Sequence, residues 1–207
     1  MSNIQEANLF SQRQGTYQLH PLYVSLRRLL PGRRVLELDC GSGEGAAFLA
    51  QGLAEEVVGL EPDPVQVSLA AQRHHRAGLS FSLLEGEDSL PFEDGSFDLV
   101  LAVRQGFDPF RTALVKDVMR VLGPAGLFVA ALPNPLRASL PIPASHDTLD
   151  AAPITPHQLG LELHRTFPQV RLLAQSPLIG YLFHDLAQPE ATLRTLQVDP
   201  LLVEGRL

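Results

Sequence analysis

The sequence predicts a doubly wound α/β fold, with a mostly parallel sheet of seven strands and an antiparallel hairpin in its C-terminal part. First, short apolar segments alternate with segments of helical composition through the first 132 residues. Second, these apolar segments are continuous rather than alternating, which is typical of strands buried on both faces of a parallel sheet. Third, 207 residues with 45% hydrophobic content suffice for one compact domain with a substantial core.

The elements follow from local composition. Five apolar segments predict parallel strands, at residues 35–38, 57–61, 81–86, 97–103 and 127–132. Helical composition predicts helices at residues 44–53, 64–76 and 110–122, after an earlier helix that begins near Leu22. Pro31-Gly32 is a helix stop, and Pro64 suits the first turn of the helix that it begins.

The pattern changes after residue 132. Residues 133–156 contain six prolines and predict a long loop, of the kind that is functional or disordered in compact domains. Residues 156–166 look helical, residues 169–183 predict two strands that pair as a hairpin at the sheet edge, and the last 20 or so residues predict a helix and tail. The chain is thus expected to be one domain, 1–207, in four parts: 1–32, 33–132, 133–156 and 157–207.

The charge excludes some partners. The formal charge of −7 and the single lysine, Lys116, disfavour nucleic acid, because phosphate binding needs clustered basic residues. The start, MSNIQEANLF, does not read as a signal peptide, and no apolar run reaches about 18 residues, so we expect a cytoplasmic protein without a membrane partner. Cys40 alone allows no internal disulfide and is expected to be a small buried residue, and the seven histidines form no metal-ligand pattern.

The stretch VLELDCGSGEG, residues 35–45, follows the first strand at the edge where parallel sheets bind ligands. Gly41, Gly43 and Gly45 leave room for a ligand, and the helix that begins near Glu44 offers free backbone N–H groups. With Ala46 in the last place the stretch also satisfies the dinucleotide pattern G-x-G-x-x-G/A. A nicotinamide cofactor and another nucleoside therefore both stay open at this point.

Glu61 closes the second strand about 20 residues further on. A carboxylate there can accept hydrogen bonds from both hydroxyls of a ribose. This feature is common to enzymes that use NAD and to enzymes that use S-adenosylmethionine, so it predicts a nucleoside and not yet which one.

Four segments together resemble the class I S-adenosylmethionine-dependent methyltransferases, especially the small-molecule enzymes related to the quinone-biosynthesis methyltransferases. They are VLELDCGSGEG, VVGLEPDP, GEDSLPFEDGSFDLV and RVLGPAGLFVA. The resemblance covers roughly residues 33–134. It implies a Rossmann-like sheet, S-adenosylmethionine as cofactor and a small-molecule acceptor, with the N-terminal part as a lid and the proline-rich loop over the substrate.

The resemblance also implies roles for single residues. Glu37 matches the acid that helps to hold the methionine end of the cofactor, Gly41 and Gly43 lie along its nucleoside, and Glu61 binds its ribose. The other implied cofactor contacts are Pro62, which follows Glu61 in the second motif, Glu87 or Asp88 near the adenine, Arg104 near the reactive end, and Tyr17 in the lid. His20 is a further lid candidate.

The sequence departs from the family pattern at Asp39, where glycine is usual if Glu37 is the motif acid. In the alternative register Asp39 is itself the acid; in the register that we prefer, its carboxylate contacts the charged end of the cofactor or marks an altered pocket. The histidine-containing stretch that is common after the fourth strand is replaced by Arg104-Gln105-Gly106-Phe107. The catalytic residues stay unknown, with His20, Asp108 and His146 as candidates for a base, and Asp147 beside the last of them.

The resulting prediction is a methyltransferase that acts on a small molecule by in-line transfer. A methyltransferase-like domain without catalytic activity is the alternative, which the departures at Asp39 and Arg104-Gln105 favour. A nicotinamide-dependent oxidoreductase is disfavoured, because the LPFEDGSFD segment has no role there. The sequence leaves the acceptor and the oligomeric state open.

Overall fold

The structure is a computed structural model of the chain. It describes residues 21–86, 89–103, 111–132, 161, 164–165, 167, 169–176, 182–185 and 201–206. The chain divides into two compact units, residues 1–84 and 85–207, which are described separately. The expectation of one domain over residues 1–207 stays a prediction.

Within residues 21–84, the described part of the first unit, there are three parallel strands and three helices. In chain order they are α1 (Pro21–Leu26), a 3-10 turn (Arg27–Leu29), β1 (Arg34–Leu38), α2 (Glu44–Ala50), β2 (Glu56–Glu61), α3 (Pro64–Arg73) and β3 (Leu79–Leu83). The strand order is β3-β2-β1. The register aligns Glu37 with Gly59 and Gly59 with Phe81, so these three residues form one row across the strands.

The burial of β1 and β2 agrees with their continuous apolar sequences. Every residue of β1 after Arg34 and every residue of β2 after Glu56 is buried. The expectation of continuous burial is wrong for β3, whose residues are all at least partly exposed. Its sequence, LSFSL, alternates, as is usual for a strand that pairs on one side only, here with β2.

The helices of this unit start at the expected residues and end earlier than expected. The side chain of Asp63 caps α3 by accepting from the Val65 N–H at 2.8 Å, and Pro64 occupies the first turn. The helix α2 ends at Ala50, three residues before the predicted end, and α3 ends at Arg73 rather than at residue 76.

The second unit contains β4 (Phe97–Ala102), α4 (Thr112–Val121), β5 (Leu122–Leu132), β6 (Gln169–Ser176), β7 (Leu182–Asp185) and β8 (Leu201–Arg206). The strands β4 and β5 pair in parallel. The strand β8 is antiparallel to both β5 and β6, and β6 is antiparallel to β7. The core includes Phe128, whose ring stacks on that of Phe167 with a centroid separation of 5.6 Å.

Three strand boundaries or types differ from the predictions. The strand β3 spans 79–83 instead of 81–86, and β5 begins at Leu122 instead of residue 127. Phe97 pairs with Leu122 and Leu99 with Leu127, so the Gly-Pro-Ala-Gly segment between the partners forms an irregularity within the paired region. Residues 201–206, predicted as part of a helix and tail, form a strand instead, because LLV suits a pleated, paired segment.

The predicted loop at 133–156 lies outside the described residues, and so does most of the predicted helix at 156–166. Within the described part of the chain, no helix is long and apolar enough to cross a membrane.

Candidate functional site

The glycine loop, residues 39–45, connects β1 to α2 by three left-handed backbone conformations. The φ angles are 58° at Asp39, 56° at Gly41 and 84° at Gly43. The loop is anchored at Cys40, whose N–H donates to the Leu60 carbonyl at 3.1 Å and whose carbonyl accepts from the Gly43 N–H at 3.1 Å. As expected, Cys40 is a small buried side chain, with 1% of its surface exposed.

Glu61 connects the end of β2 to this loop. Its Oε2 accepts a hydrogen bond from the Gly41 N–H at 2.7 Å, and its Oε1 accepts one from the Asp63 N–H at 3.1 Å. The side chain is buried. Because each carboxylate oxygen has two lone-pair sites, both oxygens retain acceptor capacity beside the glycine loop.

Glu37 is fully buried on β1. The hydroxyl of Tyr23 in α1 donates a hydrogen bond to its Oε1. A Cβ atom on Gly45 would lie 2.4 Å from this oxygen and 2.5 Å from the Tyr23 hydroxyl, so Gly45 has to be glycine for the contact to exist.

Glu44 begins α2 and is buried. The hydroxyl of Ser42 lies 2.8 and 3.0 Å from its two carboxylate oxygens, and Arg73 forms an ion pair with it at 3.5 Å. A carboxylate therefore already occupies the first turn of this helix, where N–H groups would otherwise attract an anion.

A phenyl ring packs under the glycine loop. Cβ atoms on Gly43 and Gly59 would each lie 2.7 Å from the ring of Phe81, and one on Gly59 would also lie 2.8 Å from the Cys40 sulfur. The absence of both side chains lets the loop lie close to β2 and β3, which fixes the loop relative to Glu61.

Six of the residues predicted from the sequence meet in the first unit, at the carboxyl ends of β1 and β2. They are Glu37, Asp39, Gly41, Gly43, Glu61 and Pro62, of which Pro62 is exposed and Asp39 partly exposed. The other candidates lie outside the described residues: Tyr17, His20, Glu87, Asp88, Arg104, Asp108, His146 and Asp147. The structure therefore tests none of their roles.

The sequence reasoning missed Tyr23, Ser42 and Phe81. Tyr23 lies 14 residues from Glu37, and no local pattern relates the two positions. Phe81 could have been found from Gly59, because a glycine within a buried strand often marks the close approach of another group.

The segment that precedes β4 is described in the second unit. Leu90 is buried, the ring of Phe92 meets that of Phe97 edge-on at a centroid separation of 4.8 Å, and Gly95 has a φ angle of 67°. An apolar anchor is thus followed by a tight turn, as the LPFEDG sequence indicates. Among the residues that the structure describes, no three His, Cys, Asp or Glu side chains could together hold a metal ion.

Comparison with known families adds independent evidence. Residues 35–126, which contain the glycine loop, Glu61 and the LPFEDG segment, match the family profile described as a methyltransferase domain. The match covers 92 of the 207 residues of the chain, and this segment is therefore similar to methyltransferase domains.

Curated relatives of this segment are named as methyltransferases. The chain is 42% identical over 104 residues to a probable phthiotriol/phenolphthiotriol dimycocerosates methyltransferase of Mycobacterium ulcerans, an alignment that covers 49% of this chain and 40% of that protein. It is 39% identical over 104 residues to a fatty-acid O-methyltransferase of Mycolicibacterium smegmatis, covering 47% of this chain and 36% of that protein. The chain thus spans less than half the length of these relatives.

The fold of the chain also has solved counterparts. The crystal structure of an S-adenosylmethionine-dependent methyltransferase from Mesorhizobium loti matches 91% of this chain and 98% of its own, with a TM-score of 0.63 and 20% identity. This likeness shows the parallel α/β fold alone, and the activity has to be argued from the site.

Proposed function

We propose that the chain binds S-adenosylmethionine at the glycine loop and Glu61, and transfers its methyl group to a small-molecule acceptor. The observation that carries the proposal is the contact between Glu61 and Gly41, at 2.7 Å. It joins the acid at the end of β2 to the loop after β1, which are the two parts that a nucleoside needs in this type of sheet.

Glu44 favours S-adenosylmethionine over a nicotinamide dinucleotide. A dinucleotide places its pyrophosphate at the start of the helix after the first strand. In this chain that turn carries the buried carboxylate of Glu44, whose ion pair with the half-exposed Arg73 reduces but does not remove its repulsion of a phosphate at the same turn. S-adenosylmethionine has no phosphate, so the same carboxylate does not oppose it.

The residues fit this cofactor in their donors, acceptors and charges. Glu61 would accept from the ribose hydroxyls, and Gly41 and Gly43 would lie along the nucleoside. The acids Glu37 and Asp39 would lie towards the positively charged ammonium and sulfonium groups. The bound cofactor would supply an electrophilic methyl group on its sulfonium. The protein's own task is then to hold the acceptor in line with that group and to exclude water.

Asp39 does not by itself favour the non-catalytic alternative. Its φ angle of 58° accounts for the glycine that the family usually has there, and aspartate adopts this conformation more readily than most residues. The departure from the motif is therefore compatible with an intact loop.

Calorimetry tests the cofactor. We expect micromolar binding of S-adenosylmethionine and S-adenosylhomocysteine and no binding of NAD. Glu61→Gln should lower the affinity for both of these ligands. Glu56→Gln, which changes an exposed acid at the start of the same strand, should leave both affinities unchanged. Binding of NAD alone, or equal losses in both variants after correction for the folded fraction, would contradict the proposal.

The acceptor that we propose is an oxygen atom of a long-chain lipid, such as a fatty-acid carboxylate. The names of the two curated relatives support this choice. The test is transfer of labelled methyl from S-adenosylmethionine to fatty acids, with a primary amine as the competing acceptor. Label in the amine and none in the lipid would exclude a lipid acceptor, whereas the proposed methyltransferase activity would stand.

We propose that the catalytic base, if the acceptor carries a proton, is among His20, Asp108 and His146, as the sequence predicts. Each residue is replaced with alanine in turn, and the replacement that removes the base should lower turnover without changing the affinity for S-adenosylhomocysteine. An unchanged rate in all three variants would exclude them.

We also propose that the C-terminal hairpin lies at the edge of the sheet, as the sequence predicts. The structure describes eight strands, one more than the seven predicted, because residues 201–206 form β8. The antiparallel pairing of β8 with β5, and of β6 with β7, supports this view. Amide exchange that protects residues 169–176 and 201–206 together would agree with it. A cytoplasmic location stays a proposal that cell fractionation would test.

A further inference from the structure

The contact between Tyr23 and Glu37 has no role yet in the proposed function. Glu37 is fully buried, and Tyr23 is 3% exposed. Burying a carboxylate is costly unless hydrogen bonds satisfy it, and a hydrogen bond to a charged group stabilises more than one between neutral groups. The phenol of Tyr23 is therefore a substantial stabilising partner for this carboxylate.

Three elements meet at this carboxylate. Glu37 comes from β1, Tyr23 from α1, and Gly45 from the first turn of α2, where a Cβ atom would contact both polar groups at 2.4–2.5 Å. The Tyr23 hydroxyl and the bare backbone of Gly45 therefore both lie against Oε1. Without the hydroxyl the acid would stay buried and would lose one of the contacts that orient this oxygen.

The same carboxylate lies at the start of the candidate site. Glu37 precedes the glycine loop by two residues and pairs in register with Gly59, which lacks a side chain above the ring of Phe81. Its orientation thus bears on the part of the site assigned to the amino-acid end of the cofactor. It has less bearing on the ribose side, which Glu61 defines.

We propose that Tyr23 is a positioning residue, which orients the Glu37 carboxylate towards the charged amino-acid end of the bound cofactor. This inference rests on the proposed function. It assigns to α1 a task in cofactor selectivity: to favour ligands with an amino-acid group over the bare nucleoside. Phenylalanine would fill the same space but could not do this, because it has no hydroxyl.

The test compares two ligands by calorimetry. S-adenosylhomocysteine carries the amino-acid end, and 5′-methylthioadenosine has the same nucleoside and a thioether sulfur without it. We expect Tyr23→Phe to lower the affinity for S-adenosylhomocysteine about 10-fold, equivalent to about 1.4 kcal/mol. The affinity for 5′-methylthioadenosine should fall less than about 2-fold. Val24→Ala, a change at the next buried position of α1, should leave the ratio of the two affinities unchanged.

A double-mutant cycle with Glu37→Gln separates positioning from general loss of structure. If Tyr23 acts through Glu37, Tyr23→Phe should have little further effect on the affinity ratio in the Glu37→Gln background. Gly45→Ala provides a second perturbation, because it adds a methyl group where the two polar groups meet, and it should shift the ratio in the same direction. This variant is used if Tyr23→Phe does not fold.

The outcomes distinguish the two proposals. If the wild-type protein binds neither ligand, the proposed function is wrong and the role of Tyr23 falls with it. If the wild type binds both, but the variants weaken them equally or the two substitutions are additive, only the role of Tyr23 is wrong.

Discussion

Asp39 has a φ angle of 58°, in the left-handed region that glycine adopts most readily. The cost of this conformation for most side chains is about 1–2 kcal/mol, and it is lower for aspartate and asparagine, which form local hydrogen bonds. The position therefore selects residues by backbone conformation before any contact with a ligand is considered.

This conformation predicts how substitutions at Asp39 affect stability. Asp39→Gly should keep the free energy of unfolding at or above the wild-type value, and Asp39→Asn should change it little. Asp39→Val should lower it by about 1–2 kcal/mol, because a β-branched side chain is strained at positive φ. Urea unfolding measures all three, and equal stability of the glycine and valine variants would contradict the conformational argument.

Gly43 is constrained both by its backbone conformation and by packing, whereas Gly32 is constrained by its conformation alone. Both have positive φ, 84° and 69°, but a Cβ atom on Gly43 would lie 2.7 Å from the Phe81 ring, whereas nothing lies within 4 Å of one on Gly32. Gly32→Ala should therefore cost about 1–2 kcal/mol, the conformational part alone. Gly43→Ala should cost about 1–3 kcal/mol more, because it also overpacks the loop. Denaturant midpoints measure the stability of the two variants. Equal losses of stability would show that the Phe81 ring moves to accommodate the added methyl group.

At the scale of elements, Arg120 fastens the segment before β4 to the helix α4. Its guanidinium contacts the carboxylate of Asp117 at 2.6 and 3.0 Å, the carbonyls of Leu90 and Phe92 at 3.0 and 2.7 Å, and Asp94 at 2.9 Å. Asp117 also accepts from the Leu90 N–H. Asp117 and Arg120 of α4 thus hydrogen-bond the backbone N–H and the carbonyl of Leu90, which lies 27 positions before Asp117.

This network predicts a dependence of stability on pH. The hydrogen bond from Arg120 lowers the pKa of Asp117 below its ordinary value of 3.8, although burial opposes the shift. The folded state therefore binds fewer protons than the unfolded state near that pH, and the stabilisation is lost as pH falls below 3.8 towards the folded-state pKa.

The variant Asp117→Asn tests this effect. It should be less stable than the wild type by about 1–3 kcal/mol at pH 7, and the difference should shrink as pH falls from 6 to 3. Asp94→Asn is the control, because Asp94 is 82% exposed and its ion pair with Arg120 should contribute little. A difference between wild type and Asp117→Asn that does not vary with pH would contradict the linkage.

The strands could be located from the sequence where burial is continuous. VLEL and VVGLE have no polar interruption before their closing acid, and their burial follows the sequence. The ends of the helices could not be predicted, because α3 ends at Arg73 although its composition continues beyond it. The strand β3 begins at Leu79, two residues before the predicted start, because the alternating LSFSL sequence lacks the continuous apolar run on which the prediction depends.

The site could be predicted in part for a similar reason. The loop and Glu61 follow from the spacing of glycines and an acid along the chain, and Glu37 follows from the resemblance to the family's first motif. The hydroxyl of Tyr23 and the ring of Phe81 do not, because their contacts depend on how elements distant in sequence pack together.

At the scale of the whole molecule, cofactor binding should be visible as stability of the fold. A ligand that binds only the folded state stabilises it by RT ln(1 + [L]/Kd), about 2.7 kcal/mol at 100 times Kd. For a domain of this size, each kcal/mol corresponds to roughly 2–4 °C in Tm. S-adenosylhomocysteine at that excess should therefore raise the Tm of the wild type by roughly 5–10 °C.

The same experiment locates the effect within the chain. Hydrogen exchange should slow in the glycine loop and at residues 61–63 of the first unit, because Glu61 holds the Gly41 and Asp63 N–H groups there. NAD should cause neither change, since the Glu44 carboxylate opposes a phosphate at α2. In Glu61→Gln the rise in Tm at the same ligand concentration should be smaller, because its Kd is larger. A full rise in that variant, or a rise with NAD, would show that the ligand binds elsewhere than at the end of β2.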